Sequence, residues 1–166
     1  MNIKQKTNPI IQEIEMVLRT QYPDGFGYKF IGNNALPHVR NGLSIKEFKE
    51  QINIELPEIF YEFYEWLLDV KFPEKDVSKE TYMDYHQHQI STLQNILDDT
   101  KLWQGIQAKD PKREWKPGFV ALLSYDSAYQ MVIDTCGEIN GQKGCIAYWD
   151  FKGGSWYYVD YLNFEH

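Results

Sequence analysis

The chain has 166 residues, of which 43% are hydrophobic and 16% aromatic, and its formal charge is −7. That length suits one domain, and a domain of roughly 150 residues buries about two-thirds of its unfolded surface. The negative charge argues against a nucleic-acid or anionic-membrane binder, which needs a basic patch, and is compatible with a basic protein partner.

Cys136 and Cys145 are the only cysteines, too few for a disulfide framework. The first nine residues carry no apolar run like that of a signal peptide, and no stretch approaches the ~20 apolar residues that span a bilayer. A cytoplasmic location is therefore expected. No internal repeat, low-complexity tract or linker divides the chain, so it reads as a single domain.

Asn8-Pro9 opens a first helix, with Asn as cap and Pro in the first turn, and Ile10, Ile11, Ile14, Val17 and Leu18 recur at helical spacing. Turn residues at 22–25 end it, and 32–42 reads as loop. Ser44 and Glu47 form a capping box, with Leu43 and Phe48 placed as a hydrophobic staple, for a helix to about Ile52. Leu56-Pro57 introduces the next helix. Ile59, Phe60, Phe63, Leu67 and Val70 line its apolar side, with Trp66 at the margin.

The other side of that helix carries Glu58, Glu62, Glu65 and Asp69 at spacings of four, three and four, which makes one acidic stripe. Like charges at such spacing cost a few tenths of a kcal/mol per pair. The stripe is either a solvated face or a patch for a basic partner.

Residues 72–81 read as loop and 82–90 as a possible short strand. Ser91-Thr-Leu-Gln94 resembles a second capped start, for a helix to about Trp103, and 107–116 is a polar connection. The final third is β. Phe119–Leu123 is apolar on both faces, as in a central strand, and strands follow at 129–134, 145–151 and 156–161. Short connections between them make an antiparallel meander. Helices first and strands after give an α+β class, with N-terminal helices packed on a mainly antiparallel C-terminal sheet.

This order of segments resembles the SUKH (Smi1/Knr4) superfamily over roughly residues 43–161. The capped Ser-Ile-Lys-Glu-Phe helix is followed by Leu-Pro and the aromatic helix Glu-Ile-Phe-Tyr-Glu-Phe-Tyr. Trp115-Lys-Pro-Gly-Phe-Val-Ala-Leu-Leu is similar to the family's entry to its sheet. Tyr129–Asp134 and Gly144-Cys-Ile-Ala-Tyr resemble its strand ending in Asp, then Gly and the next strand. One departure is Val70-Lys-Phe-Pro-Glu, where the family usually has Asn-Gly. The resemblance implies one domain over 1–166, with 1–42 as an N-terminal helix and loop extension, and a curved sheet. It also implies a binding role, most often as a bacterial immunity protein that neutralises a cognate toxin, frequently a nuclease. Fungal relatives act as regulators tied to cell-wall glucan synthesis.

Asp84, His86 and His88 alternate, so a strand would point all three the same way, toward a divalent ion or simply toward solvent. Cys136 and Cys145 could meet across a hairpin or pack in the core. No Gly-x-Ser-x-Gly turn is present, and Gly153-Gly154 precedes a strand, so it lacks the helix N-terminus that binds phosphate. No catalytic residue, bound metal or cofactor is expected.

The sheet's aromatics, interleaved with Asp126, Asp134, Asp150 and Asp160, signify either a two-sided core or an exposed contact surface. The candidate partner-binding residues are therefore Glu58, Glu62, Glu65 and Asp69 on the helix and Asp126, Tyr129, Trp149 and Trp156 on the sheet. The expected partner is a basic protein toxin, without direct nucleic-acid or membrane contact. The sequence leaves the oligomeric state open.

Overall fold

Capping chemistry sets the helix starts. The first helix, α1 (Pro9–Gln21), begins where the Asn8 side chain accepts from the Ile10 N–H at 3.0 Å. At α2 (Ile45–Ile52) the expected capping box is formed. The Ser44 hydroxyl accepts from the Glu47 N–H at 3.2 Å, and the Glu47 carboxylate accepts from the Ser44 N–H at 2.9 Å. The helix ends at Asn53, whose φ of 50° is the left-handed conformation that Asn tolerates. α3 (Glu58–Asp69) follows Pro57, whose carbonyl accepts from the Phe60 N–H at 3.0 Å. The computed structural model describes residues 8–21, 42–69, 91–125, 129–139, 141–150, 152–153 and 155–161. The possible strand at 82–90, with Asp84, His86 and His88, lies outside them.

The fourth helix corrects the sequence reading twice. α4 (Leu93–Lys109) is capped by Thr92, one residue later than expected, whose hydroxyl accepts from the Asn95 N–H at 3.0 Å. It also continues six residues past Trp103. Gly105 costs the helix about 1 kcal/mol relative to Ala, too little to end it once neighbouring turns are packed. The stop comes at Pro111, which opens a short 3₁₀ turn, Pro111–Arg113.

Four strands follow: β1 (Phe119–Tyr125), β2 (Tyr129–Asp134), β3 (Cys145–Asp150) and β4 (Ser155–Tyr161). They pair antiparallel in sequence order, the expected meander. β1 is not central, however; it stands at one end of the described sheet. Its apolar character on both faces has another cause, since Val120 and Leu122 face one core cluster while Phe119 and Ala121 face a second. At its bulge the Ala121 N–H donates to the buried Thr100 hydroxyl of α4 at 3.0 Å.

The two clusters lie on opposite faces of the sheet. The larger joins Phe48, Ile52, Phe60, Leu67 and Ile96 from the helices to Val120, Leu122, Ile133 and Ile146. Tyr61 and Tyr64 belong to it as well, which the sequence reading of α3 did not place there. The Tyr64 hydroxyl donates to the Ser91 carbonyl at 2.7 Å, so its polar end is satisfied within the protein. Burial drives that phenol's pKa upward.

The smaller cluster is built on tryptophan. Trp149 is met nearly edge-to-face by Trp103 at 4.4 Å and by Trp115 at 5.0 Å between ring centroids. Such pairs add about 0.5–1.5 kcal/mol beyond the burial of their area.

α1 packs on α3. Ile11 enters the larger cluster, the Trp66 indole N–H donates to the Glu15 carboxylate at 2.9 Å, and the Asn8 amide donates to Glu62 at 2.9 Å.

Candidate functional site

Asp134 ends β2 and is fully buried. A buried carboxylate is tolerable only when hydrogen-bonded, and here the following loop supplies the donors. Asp134 Oδ1 accepts from the backbone N–H of Cys136 at 3.0 Å and of Gly137 at 2.8 Å, and Oδ2 accepts from Ile139 N–H at 2.8 Å. Its own carbonyl accepts from the Gly144 N–H at 2.6 Å and so closes the loop. Gly137 and Gly144 have φ of 78° and 83°, values that side chains other than glycine's rarely permit. Asp150 repeats the device at the end of β3, accepting from the N–H of Lys152 at 2.8 Å and of Gly153 at 2.9 Å. Two of the sheet's interleaved aspartates thus build turns.

The clamped loop forms one wall of a groove of about 740 Å³. The irregular connection Asn53–Glu58 between α2 and α3 also lines it, as do Pro117 and Gly118. Gly118 makes a close approach to Cys136: a Cβ there would stand 2.2 Å from the cysteine sulfur, so a larger residue would require the Cys136 side chain to shift. The Gly118 carbonyl accepts from both the Thr135 N–H at 3.0 Å and the Thr135 hydroxyl at 2.8 Å. Glu55, Glu58 and Lys143 are the charged side chains in its lining, and all three are exposed.

Burial is the main cause that raises the Tyr61 phenol's pKa; Glu58 and Glu55 raise it further, against a hydrogen bond from the Leu56 backbone. The Lys49 ammonium sits 3.8 Å from the centre of the same ring.

The two cysteines differ. Cys145 is buried with its sulfur 4.0 Å from Asp134 Oδ2, and both burial and that carboxylate push its thiol pKa up. Core packing thus holds for Cys145, whereas Cys136 is exposed in the groove lining. Neither is in a disulfide. Among the described residues, no three His, Cys, Asp or Glu side chains are grouped to hold a metal ion, and no helix is long and apolar enough to cross a membrane.

The candidate contact residues are dispersed. Glu58 lines the groove and Glu65 is exposed, but Glu62 is half-buried and held by Asn8, so the acidic stripe is interrupted by α1. Trp149 requires a correction. It is fully buried among Trp103, Trp115 and Phe119, and its ring faces the core rather than a partner. Tyr129 and Trp156 are placed by backbone register alone, opposite Asp150 and Trp149 respectively. A bulge separates Trp156 from Tyr158, which pairs with Tyr148. Asp126 and the Asp69 side chain lie outside the described residues.

Sequence reasoning missed Glu55, Lys143 and the Asp134 clamp. The clamp had a signal, an Asp ending a strand with glycines three and seven residues on, which is the pattern of a side chain bonding its own following turn. The groove had none, because its walls come from connections eighty residues apart in sequence.

Comparison with curated proteins finds none that matches. A family model described as SMI1 / KNR4 family (SUKH-1) matches residues 43–166, from the cap of α2 through the whole sheet, with α1 outside the match but packed on the same core. On that match, three-quarters of its length, the chain belongs to the SMI1 / KNR4 family (SUKH-1).

Proposed function

We propose that this chain is a non-catalytic protein-binding domain, an immunity protein that acts in the cytoplasm by occluding the active site of a cognate bacterial toxin. The observation that carries the reading is how polar groups are used at the groove. Asp134 is consumed by three backbone N–H groups and Thr135 by the Gly118 carbonyl, so these groups hold loops in place. The exposed charges left on the rim suit recognition of another surface. A preformed groove lowers the ordering cost of association. The overall charge of −7 favours fast, salt-sensitive encounter with a basic protein, such as a nuclease.

The test is inhibition at stoichiometry. The product of the adjoining gene would be purified and its toxic activity, nuclease activity first, measured with increasing amounts of this chain. Full loss of activity near one equivalent, relieved at high salt, is expected. Unchanged activity at excess chain, with no complex on gel filtration, would sink the reading.

A further inference from the structure

The tryptophan face of the sheet carries two buried donors that the fold leaves unmatched. Trp115 is 2% exposed and Gln130 3% exposed. Among the described residues, neither the Trp115 indole N–H nor the Gln130 amide nitrogen has a hydrogen-bond partner. A buried donor left in that state costs as much as a lost hydrogen bond, so native folds satisfy nearly all of them, with protein or with ordered water. We infer that internal water is held on this face as the acceptor for both groups. The inference does not depend on the protein-binding reading.

Strand register brings the two donors to the same ground. Ala121, Val132 and Ala147 lie side by side across β1, β2 and β3, and all three face the smaller cluster. Gln130 and Trp149 form the next row on that face, since side chains two residues apart on a strand share a side. Phe119 stands two residues to the other side of the row. The Trp115 ring meets Phe119 at 5.8 Å and Trp149 at 5.0 Å between centroids, so it spans the row from one flank to the other. Two alanines keep the strand side chains short beneath the indole, and that is the place assigned to the water.

The chemistry selects water over an ion. Both groups donate, so their complement accepts. The smaller cluster contains no charged side chain, and an isolated anion there would lose its hydration without a counter-charge. Asp134, paired with Phe119 and fully buried, would repel it as well. A small neutral acceptor is left, and water is the one that buried polar groups ordinarily recruit.

The test is a water–protein NMR experiment on the full chain labelled with heavy nitrogen. The Trp115 indole signal is identified by its loss in Trp115→Phe, and the Gln130 amide pair by its loss in Gln130→Met. Both groups are expected to show cross-peaks at the water resonance, of opposite sign in laboratory-frame and rotating-frame spectra, as held water gives and proton exchange does not. Stability supplies a second readout, because Gln130→Met removes the amide at nearly constant volume. Loss of a bonded amide should lower the folding equilibrium constant about two- to tenfold, whereas loss of a stranded one would raise it. A water cross-peak absent at either group, cross-peaks of the same sign in both spectra, or a folding constant that holds or rises in Gln130→Met would overturn the inference.

Discussion

Replacing Asp134 by Asn tests whether one buried carboxylate builds the groove wall. Both carboxylate oxygens accept from backbone N–H groups, at 2.8–3.0 Å. The amide keeps one oxygen as acceptor and turns the other position into a donor, so at least one N–H group faces a second donor. A hydrogen bond to a charged group contributes about 1.5–3 kcal/mol, and a stranded buried donor costs about 1–3 kcal/mol. Cys136 is exposed and Gly137 and Ile139 half-buried, so water can satisfy part of what is lost. The net expectation is about 2–4 kcal/mol for Asp134→Asn. At about 2–4 °C per kcal/mol for a chain of this size, the midpoint falls by about 4–16 °C. Urea unfolding followed by tryptophan fluorescence gives the free energy, and amide exchange at 136–139 gives the local effect. A loss under about 0.5 kcal/mol, with exchange at 136–139 unchanged, would refute the clamp.

Gly118→Ala puts a methyl group 2.2 Å from the Cys136 sulfur and should cost about 1–3 kcal/mol. Cys136→Gly added to it should recover most of that loss, and a double-mutant cycle showing no coupling would contradict the contact. Trp149→Ala should lower stability by about 3–5 kcal/mol through loss of a buried ring, and Trp149→Phe by less, as read by denaturant midpoints. Burial raises the Glu15 pKa, but the Trp66 N–H and the Arg19 guanidinium outweigh it and hold the group below its ordinary 4.5. A carboxyl depressed in the folded state stabilises above its unfolded value, and that stability is lost as pH falls through the folded pKa. The α1–α3 contact should therefore weaken below about pH 4.5, and Trp66→Phe should flatten that part of the stability–pH curve.

The fold was legible in sequence wherever local chemistry decides. Ser44 with Glu47 and Asn8 with Pro9 announce helix starts, and the apolar runs after Phe119 announce strands. Where the reading failed, a distant neighbour decided. β1 has two apolar faces because helices pack on one and a tryptophan cluster on the other. Trp149 looked like a contact residue because one strand cannot reveal that Trp103, Trp115 and Phe119 converge on it or near it. α4 runs on past Trp103 because its stop, Pro111, lies farther along than the last residue of the apolar pattern. The groove escaped for the same reason, being made by three connections that only the folded chain brings together.

The most direct measurement of the central claim is the affinity of the chain for the purified product of the adjoining gene, compared between wild type, E55K and E65K by calorimetry. Truncating or reversing one member of a buried interfacial charge pair costs about 2–5 kcal/mol. E55K is expected to lose at least tenfold, equivalent to about 1.4 kcal/mol or more, and E65K to change by under about twofold. Wild-type affinity in E55K, with the loss appearing in E65K instead, would contradict it.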